Sequence, residues 1–329
     1  MVQIDYTAQG FAASWGPRLS GGAILSVPFI DVLAAALTVG RPSWSAVLRY
    51  GVYSRAELVY RLFQVVANLV PIGGRLSRSP AYDGLDPSEK SAVSYYCGLT
   101  LAKLVADEFF AVPYLQHIAC YPPPSLQYLT GLRPDLAGMD TSGRWYVVEA
   151  KGRSNEAKAS VLSQAKAQTR AVGNVAGAPP YLRLAVVADF PRGVLRVQLE
   201  DPEDPEGTPG DWNISASQTL QLHYAPWLAI VSTFEHEQLT VGQREFAVVY
   251  LTEVDLAIGL DVRLVRLLPA FRDSTERDNL VKELLGLLPR EVVHLPVVEV
   301  RPIGPWAGRI GRDALFLGVG RSWEMDRGA

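Results

Sequence analysis

The chain predicts a mixed α/β protein, and three observations carry that expectation. Leu58, Leu62, Val65, Val66 and Leu69 recur at helical spacing between Ser54 and Val70. Val93, Leu99, Leu101, Leu104, Val105 and Phe109 form a second apolar side between Pro87 and Phe110. Short apolar runs bounded by turn residues, such as LRLAVVADF at 182–190, have the length and β-branched content of buried strands. With 329 residues, 48% hydrophobic and 20% charged, the chain can bury a sizeable core. The formal net charge is -3, so a nucleic-acid partner would be held by a local basic patch and not by the field of the whole molecule.

Residues 1–86 read as a mainly helical N-terminal region after a short strand-like or irregular start. The opening MVQIDYTAQGF lacks a basic segment followed by an apolar core, so no signal peptide is expected and cytoplasm is the default. AILSVPFIDVLAAALTV at 23–39 contains Pro28 and Asp31, so it reads as a buried helix after a loop and not as a membrane span. Ser54 caps the next helix and Pro71 stops it. Gly, Ser and Pro make 72–86 a loop. The helix over 87–110 is expected to be capped by Ser88, with Glu89 in its first turn.

Pro122, Pro123 and Pro124 mark an irregular connection. RPDLAGMDTSGRWYVVEAKGRSN then reads as two neighbouring strands around a turn at Asp140–Gly143. A helix over 154–172, capped by Ser154 or Asn155, leads through a loop at 173–180 to the strand at 182–190. A turn at 191–193 joins that strand to a hairpin partner at 194–199. These elements make 87–200 the central core. Residues 201–213 begin DPEDPEGTPGD and read as an acidic Pro/Gly loop or linker. The remainder, 214–329, reads as a C-terminal α/β region. It has strands at 246–251 and 313–318 and a helix over 275–288. VYLTEVDLAIGLDVRLVRLL at 249–268 stays open between strand and helix.

Chemistry concentrates in the core. Alternation in a strand turns Glu149 and Lys151 to one face and Val148 and Ala150 to the other. If the preceding strand pairs antiparallel across the Asp140 turn, Asp135 comes near Glu149. Two carboxylates and the Ala150 backbone carbonyl would form an all-oxygen site suited to magnesium or manganese. Such a cation polarises a phosphate and activates water, and Lys151 would orient that water or stabilise developing negative charge. Gln164 and Gln168 interrupt an apolar helical stripe through Ala157, Val161 and Val172. Arg133, Arg153, Lys158 and Lys166, with Arg170, lie close enough in sequence to meet phosphates.

Other chemistries find little support. Cys97 and Cys120 sit in apolar surroundings without CxxC spacing and read as buried, reduced thiols. His117, His223, His236 and His294 form no HxxxH or HExxH pair, so a zinc site is not expected. No GxxxxGK[ST], no strand-borne GxGxxG and no GxSxG occurs, so neither nucleotide fuel nor a serine-hydrolase elbow is indicated.

On Pro134, Asp135, Glu149 and Lys151, the chain resembles the PD-(D/E)xK nuclease superfamily over about residues 87–200. The order helix, three strands, helix, strand is also similar to that family's core. The resemblance implies a restriction-endonuclease-like core, a central mixed sheet flanked by helices. It implies Asp135 and Glu149 as metal ligands, Lys151 as the catalytic lysine and DNA as the substrate. Gln164 and Gln168 on the following helix would support the site, and Glu108 or Glu89 upstream would be a further ligand. A setting in bacterial defence against foreign DNA follows from the family alone. The flanking regions would supply substrate choice, a homo-oligomer interface or a partner surface. The alternative is the same fold kept as a non-catalytic module that binds protein or nucleic acid.

Overall fold

The computed structural model describes residues 1–40, 52–121, 132–201, 210–273, 277–300, 304–320 and 323. The chain divides into two compact units, one of Met1–Pro42 and Tyr60–Ser215, the other of Ser43–Val59 and Ala216–Ala329.

The first unit opens with β1 (Val2–Gln9), β2 (Gly21–Val27) and α1 (Phe29–Thr38); α2 (Val52–Asn68) enters it at Tyr60, and β3 (Leu69–Ile72), β4 (Arg75–Arg78) and α3 (Pro80–Asp83) follow. It continues with α4 (Pro87–Phe110), β5 (Tyr114–His117), β6 (Leu136–Met139), β7 (Trp145–Gly152) and α5 (Ala159–Arg170). Then come β8 (Val172–Val175), β9 (Leu182–Asp189), β10 (Arg196–Glu200) and β11 (Gly210–Trp212). A nine-stranded sheet runs β3-β4-β1-β10-β9-β7-β6-β5, with β2 paired to the other side of β1. The sheet is mixed: β7 runs parallel to β9, β1 parallel to β10, and β5, β6 and β7 form an antiparallel meander.

This sheet corrects the reading of 1–86 as a separate, mainly helical region. Four strands from that stretch belong to the same sheet as the core. Val2, Ile4, Tyr6 and Ala8 are buried and alternate with more exposed neighbours, a period-two pattern that only sheet pairing uses. Ala23–Val27 is likewise strand and not loop. Part of the expected linker also has structure, since β11 pairs parallel to β8. Residues 202–209 of that linker lie outside the described residues, as do Pro122–Pro124.

The helix over Pro87–Phe110 forms where the apolar spacing placed it, but Asp86 caps it instead of Ser88. Asp86 Oδ1 accepts from the Ser88 and Glu89 N–H groups, and the Glu89 carboxylate accepts from the Asp86 N–H. This reciprocal box satisfies donors that the first helical turn leaves open. The later helix is shorter than expected. It starts at Ala159, and neither Ser154 nor Asn155 caps it. Buried Asp189 Oδ2 accepts from the Ala157 N–H at 2.8 Å and holds the approach to the helix extended. Cys97 is buried as expected and Cys120 only partly so; both thiols are free.

The second unit contains α6 (Ala216–Thr233), β12 (Glu237–Val241), β13 (Arg244–Leu251), β14 (Leu256–Asp261), α7 (Val262–Leu267), α8 (Ala270–Asp273) and α9 (Arg277–Leu287), then β15 (Val293–Val300), β16 (Gly304–Ile310) and β17 (Leu315–Val319). Its six-stranded sheet runs β12-β13-β14-β17-β16-β15, all antiparallel. The ambiguous stretch at 249–268 resolves into the end of β13, β14 and α7. Among the described residues no helix is long and apolar enough to cross a membrane.

Candidate functional site

Two helices sandwich the strand that carries the motif. Leu162 and Ala165 of α5 pack on Ala185 and Val187 of β9. Parallel register sets Glu149 beside Ala185 and Lys151 beside Val187, so both charged side chains share the α5 face. The opposite face belongs to α4. Gly152 lies so close to it that a Cβ there would overlap the Ser94 carbonyl oxygen. Glycine at this position lets the strand end pass directly under the helix.

The β5–β6–β7 meander delivers Asp135. Leu136 pairs with Val148, the last pair of that ladder, so Asp135 follows directly opposite Glu149. The Asp140 turn sets this register. Gly143 N–H donates to the Asp140 carbonyl at 3.1 Å. The Asp140 carboxylate accepts from the Ser142 and Arg144 N–H groups, the Arg144 Nε and the Tyr146 hydroxyl. Ile118 N–H donates to the Asp135 carbonyl at 2.9 Å and ties the segment to the chain leaving β5.

The structure brings Asp135, Glu149 and Lys151 together. Asp135 N–H donates to Glu149 Oε2 at 2.9 Å, and Asp135 Oδ2 accepts from the Ala150 N–H at 3.3 Å. Glu149 Oε1 has no hydrogen bond of ordinary geometry and lies against the Lys151 Nζ. The Ala150 N–H faces Asp135, and in an extended strand a residue's N–H and C=O leave by the same edge. Its carbonyl therefore faces Asp135 as well. Glu149 is 0% exposed, the Lys151 side chain is 21% exposed and Asp135 is half-buried, so solvent reaches the cluster past the aspartate and the lysine.

Burial pushes the Glu149 carboxyl up to about 8 from an ordinary 4.5, and the Asp135 charge adds to the shift while Lys151 opposes it. Two acids forced together compete to stay ionised, and the buried one gives way first.

The remaining expected residues divide. Gln168 reaches the site's support, since its Nε2 donates to the Arg133 carbonyl at 2.9 Å and clamps the segment leading into Asp135. Gln164 lies one turn earlier and is exposed. The inward stripe of α5 is Leu162, Ala165 and Thr169, which leaves both glutamines off the core side. Arg133 and Lys158 are exposed. Arg153 is half-buried, and its Nη1 donates to the Gly152 carbonyl. Lys166 turns away to Glu200 of β10, with Nζ 2.5 Å from the carboxylate.

Glu89 is not brought to the site; it serves the α4 cap. Glu108 is not brought there either. Its neighbour Phe110 packs on Tyr146, three residues before Glu149 and on the α4 face. Over three strand residues that places it about 10 Å down the sheet and on the wrong side. The sequence reading missed Asp189. This fully buried acid ends β9, accepts from Ala157 N–H, Arg196 and Gln198, and fixes the connection that leaves Lys151. An acid closing an apolar strand was the signal.

Oxygen donors suit a small hard cation. The set is two carboxylates and one carbonyl, which matches the habit of magnesium of keeping several waters. Among the described residues no group of three or more His, Cys, Asp or Glu converges. No protein-family model matches the chain, and neither the curated proteins nor the solved structures contain a match.

Proposed function

We propose that the protein is a metal-dependent nuclease that hydrolyses phosphodiester bonds of DNA, on a restriction-endonuclease-like core. One observation carries the reading. Two acids fourteen residues apart meet beside an ammonium group at a strand end, with the aspartate and lysine reaching solvent. Asp135, Glu149 and the Ala150 carbonyl would hold magnesium or manganese. Such an ion, when bound, supplies charge to polarise the phosphate and lower the pKa of a water. Lys151 then faces the substrate side of the pair, where its ammonium offsets negative charge developing on the phosphate. Arg133 and Lys158, both exposed, would contact backbone phosphates. Bacterial defence is the setting that the family resemblance suggests, with DNA preferred over RNA on the same ground.

A second reading rests on Glu149. It is sealed from solvent, carries a raised pKa and already pairs with Lys151. These features also suit a fold retained as a binding module without catalysis. Plasmid cleavage with magnesium, with manganese and with chelator separates the two. Ion-dependent cleavage that falls at least about a hundredfold in Asp135→Ala and Lys151→Ala supports the nuclease. Cleavage unchanged in both variants refutes the site, and DNA retention without cleavage under any metal favours the module.

A further inference from the structure

Sheet edges expose unpaired main-chain groups, and proteins guard them with prolines, charges, bulges or a covering segment. Among the described residues, the other outer edges of the two larger sheets carry such devices. The strand β3 has four residues and contains Pro71, which has no N–H. On β5, Gly40 covers the edge: its N–H donates to the Leu115 carbonyl at 3.0 Å and its carbonyl accepts from the His117 N–H at 3.3 Å. In the second sheet β12 carries Glu237, and β15 carries Pro296 beside a shift in register. Among the described residues the strand β2 has none of these. Its seven residues, GGAILSV, contain no charge and no proline, pair with β1 without a bulge and sit in an uncharged stretch from Leu19 to Ile30.

The free side of β2 can be located residue by residue. Gln3 N–H donates to the Gly74 carbonyl at 2.8 Å, and the Gln9 carbonyl accepts from the Asp201 N–H at 3.1 Å. Odd-numbered residues of β1 therefore turn their main-chain groups away from β2. Alternation directs those of Val2, Ile4, Tyr6 and Ala8 toward β2, where they meet Val27, Leu25, Ala23 and Gly21. Gly22, Ile24 and Ser26 then point their N–H and C=O groups out of the sheet. These three residues are exposed, and Ile24 keeps 48% of its surface in solvent between two small neighbours.

The geometry points to pairing of β2 with β2 of a second copy of this chain. Outward groups at 22, 24 and 26 are symmetric about Ile24. An antiparallel two-fold pairing sets Ile24 opposite its mate and Gly22 opposite Ser26 on either side. It closes about six main-chain hydrogen bonds, two for each facing pair. The two Ile24 side chains cover each other on the axis, and no like charges meet. A second copy suits this edge because the edge is its own complement.

Sedimentation velocity of the full chain, from roughly 1 to 100 µM, tests the pairing, because a single strand pair is a small interface and binds weakly. The expected result is a mass that doubles with concentration. Ile24→Pro removes an outward N–H and leaves the β1 ladder intact, so it stays monomeric. Ile24→Lys keeps every main-chain group but places two ammonium groups on the axis, and is monomeric too; circular dichroism checks that both variants fold. Ile24→Cys cross-links into a covalent dimer with a short bis-maleimide, because facing Cα atoms about 5.5 Å apart hold the two thiols within its reach. The exposed Ser20→Cys, outside the symmetric register, does not. A chain monomeric throughout the range overturns the proposal, as does a dimer indifferent to Ile24→Lys that Ile24→Cys fails to cross-link.

Discussion

Replacing Glu149 with glutamine should remove a pH dependence that the wild-type fold carries. Burial first and the Asp135 charge second hold the Glu149 carboxyl at about 8, against an ordinary 4.5. Between those values the folded chain keeps a proton that the unfolded chain has released. The stability this contributes is complete below about 4.5 and is lost as pH rises through about 8. Each pH unit inside the window costs about 1.4 kcal/mol, so the whole interval is worth up to about 5 kcal/mol. The expected loss across the measured range is therefore roughly 3–5 kcal/mol. Urea midpoints in chelator, taken at about pH 5.5, 7 and 8.5, measure it. Wild type should weaken steadily, whereas Glu149→Gln should stay nearly level and overtake wild type at the alkaline end. Parallel curves for the two proteins would show that Glu149 does not hold a proton in the fold, and the packing described around it would be wrong.

Two further predictions concern the scaffold. A Cβ on Gly98 would lie 2.7 Å from the Gly152 nitrogen and 2.9 Å from the Lys151 carbonyl carbon, both main-chain atoms. Gly98→Ala gains up to about 1 kcal/mol of helix propensity, but the overlap costs more, so a net loss of about 1–3 kcal/mol is expected in urea unfolding. A stabilised variant would mean that α4 does not rest on the end of β7. Asp86→Ala removes the acceptor of two N–H bonds at the start of α4 and should cost about 1 kcal/mol, while Ser88→Ala should leave the midpoint within about 0.5 kcal/mol.

The candidate site was legible for a local reason. Pro134-Asp135 and Glu149-x-Lys151 stand on two strands joined by a turn whose residues declare it, and a tight turn fixes register over the few residues that follow. The helix at 87–110 was legible from its apolar period. The N-terminal strands were not. Val2–Gln9 alternates buried and less buried positions, but its pairing partner β10 lies nearly two hundred residues away. Gln168 stood out as a polar residue in an apolar helical stripe, but the stripe that α5 buries is Leu162, Ala165 and Thr169, and the Gln168 partner is the Arg133 carbonyl, which no side-chain pattern reports.

Local chemistry alone was therefore enough for the α/β class, for the long helix and for the pair of strands that carry two acids and a lysine. Only the folded chain decided that β1 and β2 join the central sheet, that Lys166 serves Glu200, that Glu108 lies far from the acids and that Asp189 anchors the strand exit. Periodicity and turns act over a few residues, so they can be read in order along the chain. Strand order and the burial of a carboxylate depend on which distant segments come to lie side by side, and that is settled only when the whole sheet closes.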